Sequence, residues 1–220
     1  MRLWWGPTEC YHGNMTATRK IKTVSCLGFA DALPHDQVYK DAYEVGKILA
    51  ENGYAVADGG GPGTMRAATA GAESAKGNTI GVTFYPKDIT NFEGRDLNNK
   101  FDREIKTKNY LERTLKLLEV GQAYVIFKGG VGTISEFGMA WELASLYSSH
   151  SKPLILYGKF WEKIMVVLVS QMIMRPDNLQ VYRVVESPEE VVAALNMFEV
   201  AMSKDTTKRK FNSNEKAFQI

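Results

Sequence analysis

The sequence predicts an α/β protein with a Rossmann-like, doubly wound parallel sheet and helices on both of its faces. Short apolar segments alternate with segments of helical periodicity, which is typical of β-α-β units. One apolar segment, residues 123–127, lacks the polar alternation of a half-exposed strand, as expected for a sheet that is buried on both faces. Because crossovers between parallel strands are right-handed, such units wind into a Rossmann-like fold.

Three strands and two helices are predicted in the first half of the chain. Apolar residues recur at steps of four and three from Val38 to Leu49, which marks one face of a helix, and Gly53 follows as its C-terminal cap. The alanine-rich segment 65–76 predicts the second helix. The predicted strands are residues 23–27, 54–57 and 79–84, and the polar segment 86–100 predicts a long loop.

The second half of the chain repeats the alternation. A helix face runs from Tyr110 to Leu118, and Ser187 and Pro188 predict the start of a last helix, with a glutamate three residues after the serine. Between them the predicted elements are strand 123–127, helix 133–146, strand 154–157, helix 161–172 and strand 181–185.

Size and composition exclude several classes of protein. The chain has 220 residues, of which 45% are hydrophobic and 24% charged, as in ordinary globular proteins. Its formal net charge of +2 is too small to indicate a nucleic-acid or membrane-surface partner. We expect one Rossmann-like nucleotide-binding domain over residues 23–202, between an irregular N-terminal arm at 1–22 and a polar C-terminal tail at 203–220.

Metal sites and membrane spans are not expected. Cys10 and Cys26 do not form a C-x-x-C pair, and the three histidines are scattered, so the sequence predicts neither a metal site nor a cofactor. The longest fully apolar run, residues 164–169, is too short to cross a bilayer. The first twenty residues contain no continuous apolar segment of a signal peptide. We therefore expect a cytoplasmic protein.

Two glycine-rich segments each follow a predicted strand and open a predicted helix. They are Gly59-Gly60-Gly61-Pro62-Gly63-Thr64 and Gly129-Gly130-Val131-Gly132-Thr133. Glycine lets a ligand approach the backbone, and the N–H groups of a helix start attract anions. Two such turns at the carboxyl ends of one sheet favour phosphate binding over plain tight turns. Neither segment is a Walker A motif or a complete G-x-G-x-x-G motif, which disfavours ATPase and NAD chemistry.

Glu136 and Arg113 each have two interpretations. Glu136 stands three residues after Thr133, near the start of its predicted helix, where an acid is common as a capping residue. Alternatively, its carboxylate is held beside a phosphate-binding loop. Arg113 is expected one helical face away from the core residues, which taken alone favours a solvated or structural arginine.

The second glycine segment resembles the P-G-G-x-G-T-x-x-E signature of the LOG ("lonely guy") family, long mislabelled as possible lysine decarboxylases. Residues 129–136 carry this match, and G-G-G-P-G-T-M-R-A-A at 59–68 is similar to the family's first glycine motif. The resemblance covers roughly residues 24–195. It implies a Rossmann-like phosphoribohydrolase, which cleaves the N-glycosidic bond of a nucleoside 5′-monophosphate, such as AMP or a cytokinin riboside monophosphate, and releases a free base and ribose 5-phosphate.

The resemblance also implies the site residues and the partners. Arg113 matches the family's catalytic arginine, and Glu136 matches its signature glutamate. Together with the glycine turns, the expected phosphate- and nucleotide-binding residues are Gly28, Gly60, Gly61, Gly63, Thr64, Gly129, Gly130, Val131, Gly132 and Thr133. The implied partners are a small nucleoside monophosphate, neither nucleic acid nor membrane, and further copies of the chain in a homodimer or a larger homo-oligomer.

Three positions depart from the family pattern. Lys128 replaces the signature proline, Thr114 replaces the lysine after the arginine, and Ser135 replaces the acid before the glutamate. These departures leave a second function open, namely a non-catalytic binding or carrier protein for a nucleotide-like ligand such as molybdenum cofactor, which related members bind.

Overall fold

The computed structural model describes residues 20–85, 95–146 and 152–205. A 3₁₀ turn, Pro176–Leu179, precedes the last strand. The other described elements are, in chain order, β1 (Thr23–Leu27), α1 (Gln37–Glu51), β2 (Ala55–Asp58), α2 (Thr64–Ser74), β3 (Thr79–Phe84), β4 (Arg103–Thr107), α3 (Tyr110–Val120), β5 (Ala123–Ile126), α4 (Val131–Leu146), β6 (Leu154–Tyr157), α5 (Phe160–Gln171), β7 (Tyr182–Val185) and α6 (Pro188–Asp205).

The described strands form one parallel sheet, which confirms the predicted fold class. Their order is β4-β3-β2-β1-β5-β6-β7, and every neighbouring pair is parallel. The chain builds outward from β1 through β2, β3 and β4, and then returns to β1 to place β5 on its other side. The winding therefore reverses between β1 and β5, where a crevice opens beyond the carboxyl ends of the strands.

Helices cover both faces of the sheet. Because strand side chains alternate between the faces, each strand contributes to the packing on both sides. On β5, Val125 belongs to the core cluster packed by α1, α2 and α6. Its neighbours Tyr124 and Ile126 belong to the cluster packed by α3, α4 and α5. All three side chains are fully buried. The continuous apolar run of β5 thus serves two cores at once, as its sequence predicts.

Strand β4 was not predicted. Its five residues are mostly exposed, and its sequence, R-E-I-K-T, carries three charges. It is one of the two edge strands of the described sheet, and charged residues are typical of edge strands because they discourage pairing with another chain. The segment follows the predicted loop 86–100, of which residues 86–94 lie outside the described residues.

Other boundaries differ by one or two residues. For example, α4 begins at Val131 rather than at residue 133, and α2 ends at Ser74 rather than at residue 76. Helix α6 continues to Asp205, past the expected start of the tail at 203. Most of the expected arm (residues 1–19) and tail (206–220) lie outside the described residues, so the domain limits stay a prediction. Among the helices that the structure describes, none is both long and apolar enough to cross a membrane.

Candidate functional site

A cavity of about 320 Å³ opens at the point where the winding reverses. It lies between the end of β1, the inner face of α3 and the start of α4. The described residues that line it are Cys26, Leu27, Gly28, Phe29, Ala30, Met65, Tyr110, Arg113, Leu117, Gly130, Val131, Gly132, Thr133 and Glu136. Both expected catalytic residues and five of the expected ligand-binding residues are therefore brought together in one cavity.

The second glycine segment forms the start of α4 at the wall of the cavity. The N–H of Ile134 donates to the carbonyl of Gly130 at 3.0 Å, so Gly130 stands at the cap position. The N–H groups of the next residues have no acceptor within the helix, because no carbonyl precedes them at the required spacing. A side chain at Gly130 would meet nothing within 4 Å. This helix start thus offers free N–H groups and open space to an anion.

Arg113 and Glu136 form a buried ion pair across the cavity floor. Nη1 of Arg113 donates to Oε1 of Glu136 at 2.7 Å, and the two residues are 7% and 6% exposed. The expectation that Arg113 faces away from the core was wrong: Arg113 lies one turn before Leu117 on α3, and both line the cavity. The two partners are 23 positions apart in the sequence, and only the fold brings them together.

The capping interpretation of Glu136 does not hold. Because α4 begins at Val131, Glu136 stands in the second turn of the helix, and its carboxylate accepts from Arg113 instead of from the helix start. Thr133, which was expected near the cap, lies in the first turn and is 5% exposed.

Burial raises the pKa of Glu136 above its ordinary value, and the charge and hydrogen bond of Arg113 only partly offset that rise. Arg113 therefore favours the ionised form of this carboxylate but does not cancel the effect of burial. A raised pKa moves a glutamate toward the proton affinity that a general acid or base requires. Glu136 is the one carboxylate among the described residues that line the cavity.

The first glycine segment lies beside the cavity but turns its polar groups into the protein. The Thr64 hydroxyl donates to the carbonyl of Phe29 at 3.1 Å. Gly63 has φ 63°, a left-handed conformation that favours glycine, and a side chain there would overlap the carbonyl of Ala30. The N–H of Gly60 donates to Asp58 at 2.7 Å. Ligand contacts at Gly60, Gly61, Gly63, Thr64 and Gly129 stay a prediction, since the cavity lining does not include them.

Gly59 has a different use. A side chain on this residue would overlap the Arg113 guanidinium, so the bare backbone forms the surface on which the guanidinium lies. Nη2 of Arg113 also approaches the sulfur of Met65 at 3.4 Å. Gly59 in the first glycine segment and Met65 at the start of α2 therefore pack against the guanidinium and hold it in position.

Sequence reasoning missed the aromatic residues of the site. The Tyr110 ring lies 5.6 Å from Cζ of Arg113, and Phe29 lines the cavity although it is 39% exposed. The spacing of three between Tyr110 and Arg113 on one helix was a usable signal. Phe29 follows the expected Gly28 directly, but a single aromatic residue after a strand carries no pattern.

Other expectations concern metals and thiols. In the described part of the chain, no group of three or more histidine, cysteine, aspartate or glutamate residues could hold a metal ion. Cys26 lies at the base of the cavity, and burial raises the pKa of its thiol, so it is held as a neutral, unreactive group.

The three departures from the family pattern lie outside the described lining of the cavity. Thr114 is buried, and its hydroxyl has no hydrogen-bond partner among the described residues. Lys128 is exposed, with Nζ 5.9 Å from the centre of the Phe160 ring. Ser135 is exposed on α4.

Comparisons with known proteins identify the family of the chain and proteins that share its fold. The model of the SLOG cluster4 family matches residues 21–191. A cytokinin riboside 5′-monophosphate phosphoribohydrolase of Mycobacterium tuberculosis is 32% identical over 123 residues, which are 56% of this chain and 63% of that protein.

Two solved structures share the fold. The molybdenum cofactor binding protein of Rippkaea orientalis has a TM-score of 0.62 at 22% identity, over 82% of this chain and 99% of that one. The molybdenum cofactor carrier protein of Chlamydomonas reinhardtii has a TM-score of 0.57 at 24% identity, over 83% and 99%. At this identity the likeness concerns the fold alone. The family match covers most of the chain, and the chain therefore belongs to the SLOG cluster4 family, which confirms its resemblance to the LOG family.

Proposed function

We propose that this protein is a nucleoside 5′-monophosphate phosphoribohydrolase, which hydrolyses the N-glycosidic bond to release a free base of the adenine or cytokinin type and ribose 5-phosphate. The observation that carries the proposal is the buried Arg113–Glu136 pair, which shares one cavity with the open start of α4. A phosphate-binding helix start next to an acid with a raised pKa supplies the two groups that this reaction needs.

The phosphate of the substrate binds at the start of α4. The N–H groups of Val131, Gly132 and Thr133 and the positive end of the helix attract its charge, and glycines at 130 and 132 leave the backbone accessible. The phosphate is remote from the reacting bond, so its binding energy serves to place the ribose and the scissile bond inside the cavity.

Glu136 then acts on the sugar. Cleavage of an N-glycosidic bond builds positive charge on the ribose, and a nearby carboxylate stabilises that charge. Glu136 also removes a proton from the attacking water. The water oxygen bonds to the anomeric carbon as the bond to the base breaks, and the bonding electrons leave with the base. The proton that Glu136 took from the water is passed on to the base nitrogen, which completes the free base and restores the carboxylate. Arg113 holds the carboxylate in place through the 2.7 Å hydrogen bond.

Two further observations support a hydrolase. The Mycobacterium tuberculosis relative is named for this reaction on cytokinin riboside 5′-monophosphate. The departures at Thr114, Lys128 and Ser135 lie outside the described cavity lining, so they leave the reacting groups unchanged.

The test is release of free base from a panel of nucleoside 5′-monophosphates, including AMP, followed by chromatography. Wild-type protein is expected to release base, and Glu136→Gln is expected to lower kcat on the order of 10²–10⁴-fold, because it removes a general acid–base group. Glu142→Gln is the matched control, since it makes the same change at an exposed position of the same helix. Equal activity of all three proteins would overturn the proposal.

The rival function is that of a binding or carrier protein for a nucleotide-like ligand such as molybdenum cofactor. The observation that favours it is the fold shared with the two molybdenum cofactor proteins over more than four fifths of this chain. Tight binding without release of base across the whole panel would support the carrier and reject the hydrolase.

The chain is also proposed to form a homodimer or a larger homo-oligomer, through apolar faces of α4 and α5. Val131 and Ile134 on α4 are 84% and 61% exposed, and Val166 and Val167 on α5 are 59% and 58% exposed. Exposed apolar patches of this kind mark interaction surfaces. Sedimentation equilibrium of wild type and Ile134→Asp tests the proposal: the wild type should be an oligomer and the variant should dissociate, whereas a monomeric wild type would contradict it.

A further inference from the structure

Asp58 is a buried acid that the reaction described above does not use. It is the last residue of β2 and is fully buried. Val56 packs in the core cluster of α1 and α2, and Ala57 in the opposite one, so alternation turns the Asp58 side chain toward α2. The hydroxyl of Thr69 on α2 donates to its Oδ2. Burial of a carboxyl group destabilises the folded state unless the group is hydrogen-bonded. The role of Asp58 therefore depends on the groups to which it bonds.

Three donors converge on this carboxyl, of which one belongs to the first glycine segment and another also bonds to that segment. The N–H of Gly60 donates to Oδ1 at 2.7 Å. Nδ2 of Asn99 approaches the same oxygen at 3.4 Å and also donates to the carbonyl of Gly61 at 3.0 Å. The Asp58 carboxyl therefore holds the turn at Gly59 and Gly60 through the N–H of Gly60. Asn99 holds the same turn through the carbonyl of Gly61.

That turn is the surface on which the Arg113 guanidinium lies. A side chain at Gly59 would overlap the guanidinium, so any shift of the turn changes the position of Arg113. Arg113 in turn holds Glu136 at 2.7 Å. The contacts run without a gap from Thr69 and Asp58, through the turn, to the ion pair of the cavity. The charge of Arg113 also acts on Asp58 directly.

We infer that Asp58 is a positioning residue: by holding the Gly59–Gly60 turn against the guanidinium, it sets where Arg113 places the carboxylate of Glu136. Asp58 does not line the cavity and touches no substrate. This inference rests on the proposed function for its kinetic consequence, but its structural part does not depend on it.

The kinetic test compares Asp58→Asn with Asp102→Asn. Asp102 makes similar contacts, with the N–H of Thr79 at 2.8 Å and its hydroxyl at 3.0 Å, but at the amino end of β3, away from the cavity. Because misplaced reacting groups cost rates on the order of 10²-fold, Asp58→Asn should lower kcat by about 10- to 100-fold and leave KM for AMP unchanged. Asp102→Asn should leave both unchanged. Wild-type kcat in Asp58→Asn would overturn the inference.

A second pair of variants controls for burial and folding. Thr69→Val removes the hydroxyl that bonds Asp58, and Thr69→Ser keeps it. The valine variant should show a smaller loss of kcat than Asp58→Asn, and the serine variant should restore wild-type kcat. If Asp58→Asn does not fold, this pair decides: equal kcat in both Thr69 variants would overturn the inference.

A spectroscopic readout separates this inference from the proposed function. The Nε–H signal of Arg113 and the carboxyl carbon signal of Glu136 report the geometry of the pair by NMR, with no reaction needed. Both signals should move in Asp58→Asn and stay in place in Asp102→Asn. If wild type releases no base from any nucleotide, the proposed function fails, and unmoved signals in Asp58→Asn would then reject the positioning role as well.

Discussion

The two glycine-rich segments read alike in the sequence, yet the fold uses them in opposite ways. At the second segment, the backbone at Gly130 faces open space and the start of α4 lines the cavity. At the first, the N–H of Gly60 donates to Asp58, and the Thr64 hydroxyl donates to Phe29. One segment is exposed to a ligand, while the other is closed by the protein's own polar groups.

The difference shows why a glycine-rich turn after a strand is not by itself evidence of a ligand site. Glycine allows close approach to the backbone, and the approaching group can be a ligand or a side chain of the same protein. At Gly59 that group is the guanidinium of Arg113. The first segment therefore supports the arginine, and the proposed phosphate site lies at the second.

Among the variants that compare the two glycine segments, Gly59→Ala should have the largest effect, because its added carbon would overlap the Arg113 guanidinium. We expect kcat for base release to fall on the order of 10²-fold or more, as the displaced arginine misplaces Glu136. Gly138→Ala is the control, since a side chain on that residue of α4 would meet nothing within 4 Å. Steady-state kinetics of both variants checks the prediction, and near-wild-type turnover in Gly59→Ala would contradict the role of the first segment.

The pH dependence of the unfolding free energy should show that Asp58, which directly precedes the first segment, is a buried acid. Burial raises the pKa of Asp58 from its ordinary value of 3.8 to about 7, and hydrogen bonds from Thr69 and Gly60 and the charge of Arg113 only partly oppose the rise. Since the folded state then binds this proton more tightly than the unfolded state, wild type should lose stability relative to Asp58→Asn as the pH rises from about 4 to about 7.

The loss should approach about 1.4 kcal/mol per pH unit at its steepest and level off above the folded pKa. Urea unfolding of both proteins at several pH values measures it. A difference in unfolding free energy that stays constant with pH, or grows in the wild type's favour, would show that the carboxyl of Asp58 is not held in this way.

Gly130→Ala should have a moderate effect of another kind. A side chain there meets no protein atom, so folding should be unchanged, but it would stand where a phosphate approaches the helix start. We expect KM for AMP to rise by about tenfold, equivalent to about 1.4 kcal/mol of binding energy, with little change in kcat. An unchanged KM would place the phosphate elsewhere.

Lys128→Ala should have the smallest effect. Lys128 is exposed and lies outside the described cavity lining, so its loss should change KM by no more than about threefold, as for other surface substitutions. A tenfold rise in KM would show instead that this cation, which stands in the place of the family's proline, takes part in phosphate binding.

The central sheet and the presence of Arg113 and Glu136 at one site were predicted from the sequence, whereas the contacts that hold this pair in place were not. The continuous apolar run of β5 predicts a buried strand, and the glutamate at the end of the second glycine motif predicts Glu136 as a site residue. Strand β4 was not predicted, because an edge strand with three charged residues has no continuous apolar run. The burial of Arg113 escaped because it depends on the gap left by Gly59, which lies 54 positions earlier and meets it only in the folded chain.

The proposed difference between the two glycine segments is tested most directly by locating the residues that bind a phosphate group. NMR titration of the labelled protein with ribose 5-phosphate, followed at each backbone amide, measures it. The largest shifts are expected at Gly130, Val131, Gly132 and Thr133, together with the side chain of Arg113, because these groups line the cavity. Shifts that are largest between Gly60 and Thr64, with the start of α4 unmoved, would contradict the assignment of the site.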